Sequence, residues 1–309
     1  MRKPRALVRG DRIAVVAPAS PFNRDEFDSG IVELRRLGFE PVFDDTVFDR
    51  KRYVAGEAHV RAAAIRSAWR DSSIAGIIGV RGGYGSAQLL PLLDVEEMRE
   101  NCKPFIGYSD LTAILTFLTT TLGMVAFHGP MLAGRLGLGA EGYDEESFIA
   151  ALCRRQPMGT LAPDGVEIVC PGEADGPLYG GTLTQLLASL GTACAFDPPQ
   201  GYVLFLEEVA ERPYRLDRMV TQLAQTGLLA QASAVVIGEL PRCDEPSGDL
   251  TARAVMADLF ADFHGPVIIG FPSGHTVRPA MTLPLGVQVR VVAASGKRPT
   301  LVIEESAVE

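Results

Sequence analysis

The chain has one tryptophan, four histidines and five cysteines in 309 residues. The cysteines (Cys102, Cys153, Cys170, Cys194, Cys243) form no C-x-x-C pair and no metal-like cluster with a histidine. An odd, scattered set is no disulfide framework either, so they read as buried thiols of a reducing cytosol. No apolar run approaches ~20 residues, which leaves no candidate transmembrane helix. Positive charge is in the minority. Against 38 Asp and Glu stand 29 Lys and Arg, a net charge of −9, and no basic run is long enough to neutralise a phosphate backbone. Nucleic acid and membrane are therefore not expected partners. The basic start MRKPR is followed by a stretch that Arg9, Asp11 and Arg12 interrupt, so no signal peptide is expected.

What is present is an ordinary globular composition, 47% hydrophobic and 22% charged, which excludes a largely disordered chain. At ~150 residues per domain the length suggests two domains. The first half alternates strand and helix signals. Ile13 to Ala17, Pro41 to Phe43, Ile74 to Val80, Phe105 to Tyr108 and Met124 to Phe127 read as strands. Between them Phe27, Ile31 and Leu34, then Ala58, Ala62, Ile65 and Trp69, recur at helical spacing, and Leu111 to Leu122 reads as a further helix. This order predicts a parallel sheet with helical crossovers. Residues 136–176 are rich in Gly, Pro and acidic side chains and read as a helix near Ser147 to Arg154 followed by a linker. A second block then alternates helix and strand again and ends, from Met281 to Ile303, in short antiparallel strands around Ser295-Gly296. The expected fold is α/β, with an N-terminal parallel-sheet (flavodoxin-like) domain over 1–155, a linker over 156–176 and a C-terminal mixed α/β domain over 177–309.

In open α/β sheets a site lies outside the carboxyl ends of the strands. Five loops pass that filter: RGGYG (Arg81 to Gly85), Tyr108-Ser109-Asp110, His128-Gly129-Pro130, Glu207-Glu208 and the loop from Gly270 to His275. Ser109 sits between a strand and a helix, as a nucleophile elbow does, but G-Y-S-D-L lacks the second glycine of G-x-S-x-G, and serine is also a common helix cap. RGGYG lacks the lysine of a P-loop; it is a tight turn or half of an oxyanion hole opposite the N–H of Asp110. Of the four histidines, His59 and His264 lie at the wrong end of the strands. His275 and His128 pass, with His275 bracketed by Gly270 and Gly274 and His128 as the fallback base. Glu207 and Glu208 end one strand and must face opposite sides, so only one can enter a shared cleft; the pattern alone leaves open which, and solvated strand-end charges are the bland alternative.

Seven segments occur in a specific order: GDRIAVVAPAS, RGGYG, GYSD, HGPM, GGTLTQLLASLGT, LFLEEVAERPYRLDRM and GFPSGH. Together they resemble the LD-carboxypeptidases, the muramoyltetrapeptide carboxypeptidase family that includes the microcin C immunity hydrolases. The resemblance runs from Gly10 to about Glu304. It implies a Ser-Glu-His triad of Ser109, Glu207 and His275, closing across an inter-domain cleft, with Glu208 where the family often has Asp. It implies an oxyanion hole from the N–H groups of Asp110 and a glycine of the RGG loop, Gly83 in preference to Gly82. The implied reaction releases terminal D-alanine from muropeptide tetrapeptides, in the cytoplasm, with no metal or organic cofactor. Arg81 and Arg278 are the candidates for the substrate's terminal carboxylate.

Two rival readings accompany this one. An immunity hydrolase would cleave a peptidyl-nucleotide conjugate, but it carries an added loop with an aromatic for the adenine. Here the one tryptophan, Trp69, falls on a helix, and no insertion precedes Glu207. A non-enzymatic two-domain binding protein would use the same cleft and glycine loops. The resemblance also suggests a homodimer. The segment Leu111 to Leu122, apolar or Thr on most sides, fits either a dimer face or burial on two faces within the monomer.

Overall fold

The computed structural model describes residues 1–309. Fourteen strands form two sheets. The first takes β1 (Arg12–Val16), β2 (Glu40–Val42), β3 (Ile74–Gly79), β4 (Phe105–Gly107) and β5 (Ala126–His128), all parallel, in the order 2-1-3-4-5 expected of a flavodoxin-like sheet. The second takes β6 (Gly159–Leu161), β7 (Glu167–Cys170), β8 (Gly172–Thr182), β9 (Val203–Glu207), β10 (Ala234–Gly238) and β11 (Val267–Phe271), with β13 (Gln288–Ala293) and β14 (Thr300–Ile303). Its centre, β8 to β11, is parallel, and the strands flanking that centre are antiparallel.

The crossovers of the first sheet are α1 (Arg24–Arg36), α2 (Ala58–Arg70), α3 (Val95–Glu100) and α4 (Thr112–Thr116); α5 (Glu145–Cys153) follows β5. The helix α1 shows why such segments form. Asn23 accepts from the N–H groups of Asp25 and Glu26, acidic residues fill the first turn, and Arg35 and Arg36 close the last. Its stripe Phe27, Ile31 and Leu34 is buried, as the spacing predicts. In the second half α6 (Leu183–Ser189), α7 (Pro213–Gln225), α8 (Leu228–Gln231) and α9 (Ala252–Leu259) cover one face of the second sheet.

Three expectations are corrected. Residues 156–176 are not a linker: they carry β6, β7 and the start of β8, all paired into the second sheet. Glycine, proline and acidic residues mask them: β6 and β7 are the two edges of the sheet, where half of each strand faces solvent, and the first residues of β8 are exposed too, so the apolar alternation is weak. The tail is also not confined to the second unit. Strand β12 (Leu283–Leu285) crosses over and adds antiparallel to β5, pairing Leu283 with His128. Finally, Leu111 to Leu122 is not one α-helix. A 3₁₀ turn at Ser109–Leu111 leads into α4, and Phe117–Thr121 is a π turn. Every residue from Leu111 to Thr119 is buried within the monomer, so this segment offers no exposed dimer face.

The parity of β9 sets up the site. Val203 and Phe205 join the large core shared with the first sheet, whereas Leu204 and Leu206 pack with α6, α7 and α9. Two residues on, Glu207 therefore faces the first sheet and Glu208 the helices. No helix is long and apolar enough to cross a membrane.

Candidate active site

Ser109 follows β4 by one residue and has a positive φ of 62°, rare for a side chain with a Cβ. Neither the 3₁₀ turn nor α4 receives a side-chain cap, so Ser109 is not there as a helix cap. Its side chain is half-buried and lies against Gly82: a Cβ at position 82 would stand 2.8 Å from Ser109 Cβ and 3.0 Å from its Oγ. Glycine is thus required for the loop after β3 to approach the serine. Gly83 has φ 98° and turns its Cα towards Ser20 instead. Gly82 C=O accepts from the Ser20 N–H at 3.1 Å, which sends the Gly83 N–H of the same peptide the other way. The N–H groups of Gly83 and Asp110 both lack a backbone acceptor. The Asp110 side chain is engaged elsewhere, accepting from Ser86 N–H at 2.8 Å.

On the second sheet Glu207 is wholly buried. Its Oε2 accepts from the His275 N–H at 2.8 Å and stands 2.7 Å from His275 Nδ1; its Oε1 accepts from Thr182 Oγ1. Burial pushes this carboxyl up, but the opposing charge and hydrogen bond of His275, with smaller help from the Thr182 hydroxyl, hold it well below the usual carboxylate range. The half-buried His275 ring packs edge-on to Tyr108, centroids 5.0 Å apart, which puts it beside the residue preceding Ser109. The ring's one hydrogen bond goes to Glu207; none closes to Ser109 Oγ.

Glu208 does different work. Its Oε2 accepts from Thr184 N–H (2.9 Å) and Oγ1 (2.7 Å), tying down the first turn of α6, and its Oε1 accepts from Val209 N–H. Desolvation raises its carboxyl above the ordinary value. His128 is completely buried, and burial pushes its imidazole down to about 4. His59 and His264 are exposed. The expectation for His59 is corrected: it opens α2, whose Arg61 reaches Gly85 of the RGGYG loop, so it stands at the carboxyl end of the strands, although it makes no contact with the Glu207–His275 pair.

The two arginine candidates separate. Arg278 is spent inside the protein: it pairs with Glu239 and donates to the carbonyls of Asp164 and Gly270. Exposed Arg81 makes one bond, to Pro21 C=O at 3.3 Å. Sequence reasoning missed several members of the site. Ser20 binds Tyr53 C=O and Tyr84 N–H, pinning the RGGYG loop. It lies past the carboxyl end of β1, so the strand-end filter could have found it. Thr182 ends β8, a strand of which only the start lay in the supposed linker. Arg61 was invisible, because nothing in its helix marks it as the centre of four hydrogen bonds, three of them to residues at least 24 positions away.

Comparison with known proteins agrees in both halves. Residues 13–129 match the LD-carboxypeptidase N-terminal domain and residues 175–291 its C-terminal domain. A putative carboxypeptidase of Streptomyces coelicolor is 37% identical over 95% of this chain and 94% of its own. The chain belongs to the LD-carboxypeptidase family. A probable murein peptide carboxypeptidase of Bacillus subtilis is 30% identical over 94% and 92% of the two chains. In three dimensions the microcin C7 self-immunity protein aligns with a TM-score of 0.90 at 24% identity over 99% of both chains, a likeness of fold. Membership makes the protein a serine-type carboxypeptidase, a hydrolase.

Proposed function

We propose that this LD-carboxypeptidase releases terminal D-alanine from muropeptide tetrapeptides, in cytoplasmic peptidoglycan recycling, through an acyl-enzyme on Ser109. The observation that carries the reading is the buried Glu207 carboxylate held 2.7 Å from His275 Nδ1, with the His275 ring packed on Tyr108, the residue before a serine at positive φ. A carboxylate accepts only, so Nδ1 carries the proton and Nε2 presents its lone pair. Ser109 Oγ then attacks the peptide carbonyl as His275 Nε2 takes its proton, and the same proton passes to the departing D-alanine amine. Glu207 stabilises the imidazolium formed between these steps. The free N–H groups of Gly83 and Asp110 receive the oxyanion, and water repeats the sequence to release the shortened peptide. Arg81, whose guanidinium is largely unengaged, meets the terminal carboxylate.

Trp69 supports a peptide over a nucleotide substrate: it is buried and donates from Nε1 to Met98 C=O at 3.0 Å, so it is not free to stack on adenine. The reading is tested by incubating the protein with lysine- and diaminopimelate-type tetrapeptides and following alanine loss by mass spectrometry. Loss from one or both is expected; turnover of a peptidyl-nucleotide conjugate alone would favour the immunity reaction. Tight muropeptide binding without turnover would favour a binding protein. The homodimer now rests on resemblance alone, and light scattering across a dilution series decides it.

A further inference from the structure

We propose that His128 is a positioning residue for Glu207: held as the neutral Nδ1–H tautomer, it turns a bare Nε2 towards Glu207 Oε1 and so leaves that carboxylate's charge to His275. The inference rests on the reading of Glu207 and His275 as the paired carboxylate and base.

The tautomer follows from counting protons. His128 Nδ1 lies 3.2 Å from Ser273 Oγ, and Ser273 Oγ lies 2.8 Å from Met281 C=O. A carbonyl cannot donate, so the one hydroxyl proton goes to Met281, and Ser273 Oγ is left to accept from His128 Nδ1–H. The opposite choice would strip Met281 of its donor. It would also aim an Nε2–H at Glu207 Oε1 across 3.9 Å, too far for a hydrogen bond. As it stands, one group is unmet: the buried Nε2 has no partner. An empty acceptor is a smaller penalty than an empty donor beside an orphaned carbonyl.

The surroundings hold this arrangement. The Phe205 ring stands edge-on at 5.0 Å and the Tyr108 ring at 5.9 Å. Gly274, at φ 73°, closes the space between the two groups: a Cβ there would lie 2.6 Å from His128 Cε1 and 2.8 Å from Glu207 Cδ. The titratable and charged groups facing the pair are His275 from the loop after β11 and Tyr108 from the turn after β4. Arg135 binds the carbonyls of Thr276 and Arg278 in that same loop and lies close to Tyr108. The enclosure keeps the ring uncharged, with its imidazole pushed down to about 4 by burial. Glu207 Oε1 therefore has a single donor, Thr182, while Oε2 has two, both from His275. A further donor on Oε1 would draw charge from the oxygen that stabilises the imidazolium.

The test has two arms. In ¹⁵N spectra of histidine-labelled protein, one of the four histidines should remain a neutral Nδ1–H imidazole from pH 8 to pH 5, and it should vanish in His128→Asn. An Nε2–H tautomer, or a charged ring near neutral pH, would overturn the proposal. This arm needs no substrate and can be read on the wild type alone, so it stands apart from the functional reading. The second arm is the pH profile of kcat/KM. The amide nitrogen of asparagine falls near the place of Nδ1 and that of glutamine near Nε2. His128→Gln thus offers Glu207 a donor, and its acid limb should move to lower pH by about half a unit or more, with kcat down about tenfold at unchanged KM. In His128→Asn the limb should stay at the wild-type pH. A limb that moves in neither variant, with only thermal stability reduced, would make His128 a filler of space and contradict the proposal.

Discussion

On the serine side of the site, position is set by backbone. The loops carrying Ser20 and Gly83 converge on buried Arg61, which donates to the carbonyls of Gly56 (3.2 Å), Gly85 (2.9 Å) and Pro18 and to Gln88 Oε1 (2.7 Å). Ser109 itself is held by an unusual φ and by a glycine that lets the neighbouring loop touch it. On the histidine side, position is set by charge. One buried carboxylate gathers His275 and Thr182 and faces His128. The first side stores strain and the second stores an electrostatic field, so substitutions on the two sides should fail differently.

The largest effect is expected at Ser109. Ser109→Ala should cut turnover by about 10⁶-fold with folding intact. Ser109→Gly should be as inactive yet more stable than wild type by about 0.5–1 kcal/mol in urea unfolding, because glycine relieves the positive φ. A Gly variant less stable than wild type would remove strain from the account.

Next comes Glu207→Gln, with kcat reduced by about 10⁴-fold and binding largely kept, since an amide cannot stabilise imidazolium as a carboxylate does. Glu208→Gln should keep turnover within about threefold and lose about 1 kcal/mol of stability through the α6 turn it caps. The reverse ranking would mean the faces of β9 have been misassigned.

These two glutamates show how much the sequence could reveal. Alternation established that one carboxylate faces each way, and resemblance pointed to Glu207, but choosing the face from the residues alone needs to know which sheet and which helices lie on either side. The parallel order of β1 to β5 was legible because fully buried strands read as apolar runs. The edge strands β6 and β7 and the exposed start of β8 were not, and Thr182 at the end of β8 went unseen with them. Arg61 and the burial of His128 depend on contacts between residues far apart in the chain, which no local pattern encodes. Arg278 looked like a substrate ligand until Glu239 was seen beside it.

A smaller effect is expected from Arg61→Lys, which keeps the charge but loses the planar fork. The oxyanion loop should loosen, lowering kcat about tenfold and weakening a tetrahedral phosphonate more than a substrate-like ligand. Equal weakening of both would place Arg61 outside the oxyanion account.

The smallest is a pH effect on the histidine side. An imidazole that stays neutral when folded, at about 4 against an ordinary 6.5, makes the unfolded chain the better proton binder, so stability falls as pH drops from about 6.5 towards 4. The loss between pH 6.5 and 5 should be on the order of 2 kcal/mol, and absent in His128→Asn. Glu207, held below its ordinary value, has the usual carboxylate sign: its stabilisation is present above about pH 4.5 and disappears only below it. Denaturant titrations at several pH values separate the two windows.

The measurement that bears most directly on the site as a whole is phosphonate labelling of the intact protein, mapped by peptide mass spectrometry. A covalent adduct is expected on Ser109 in the wild type, formed far more slowly in His275→Ala and in Glu207→Gln. An adduct on another residue, or one formed on Ser109 at the same rate in all three proteins, would contradict that expectation.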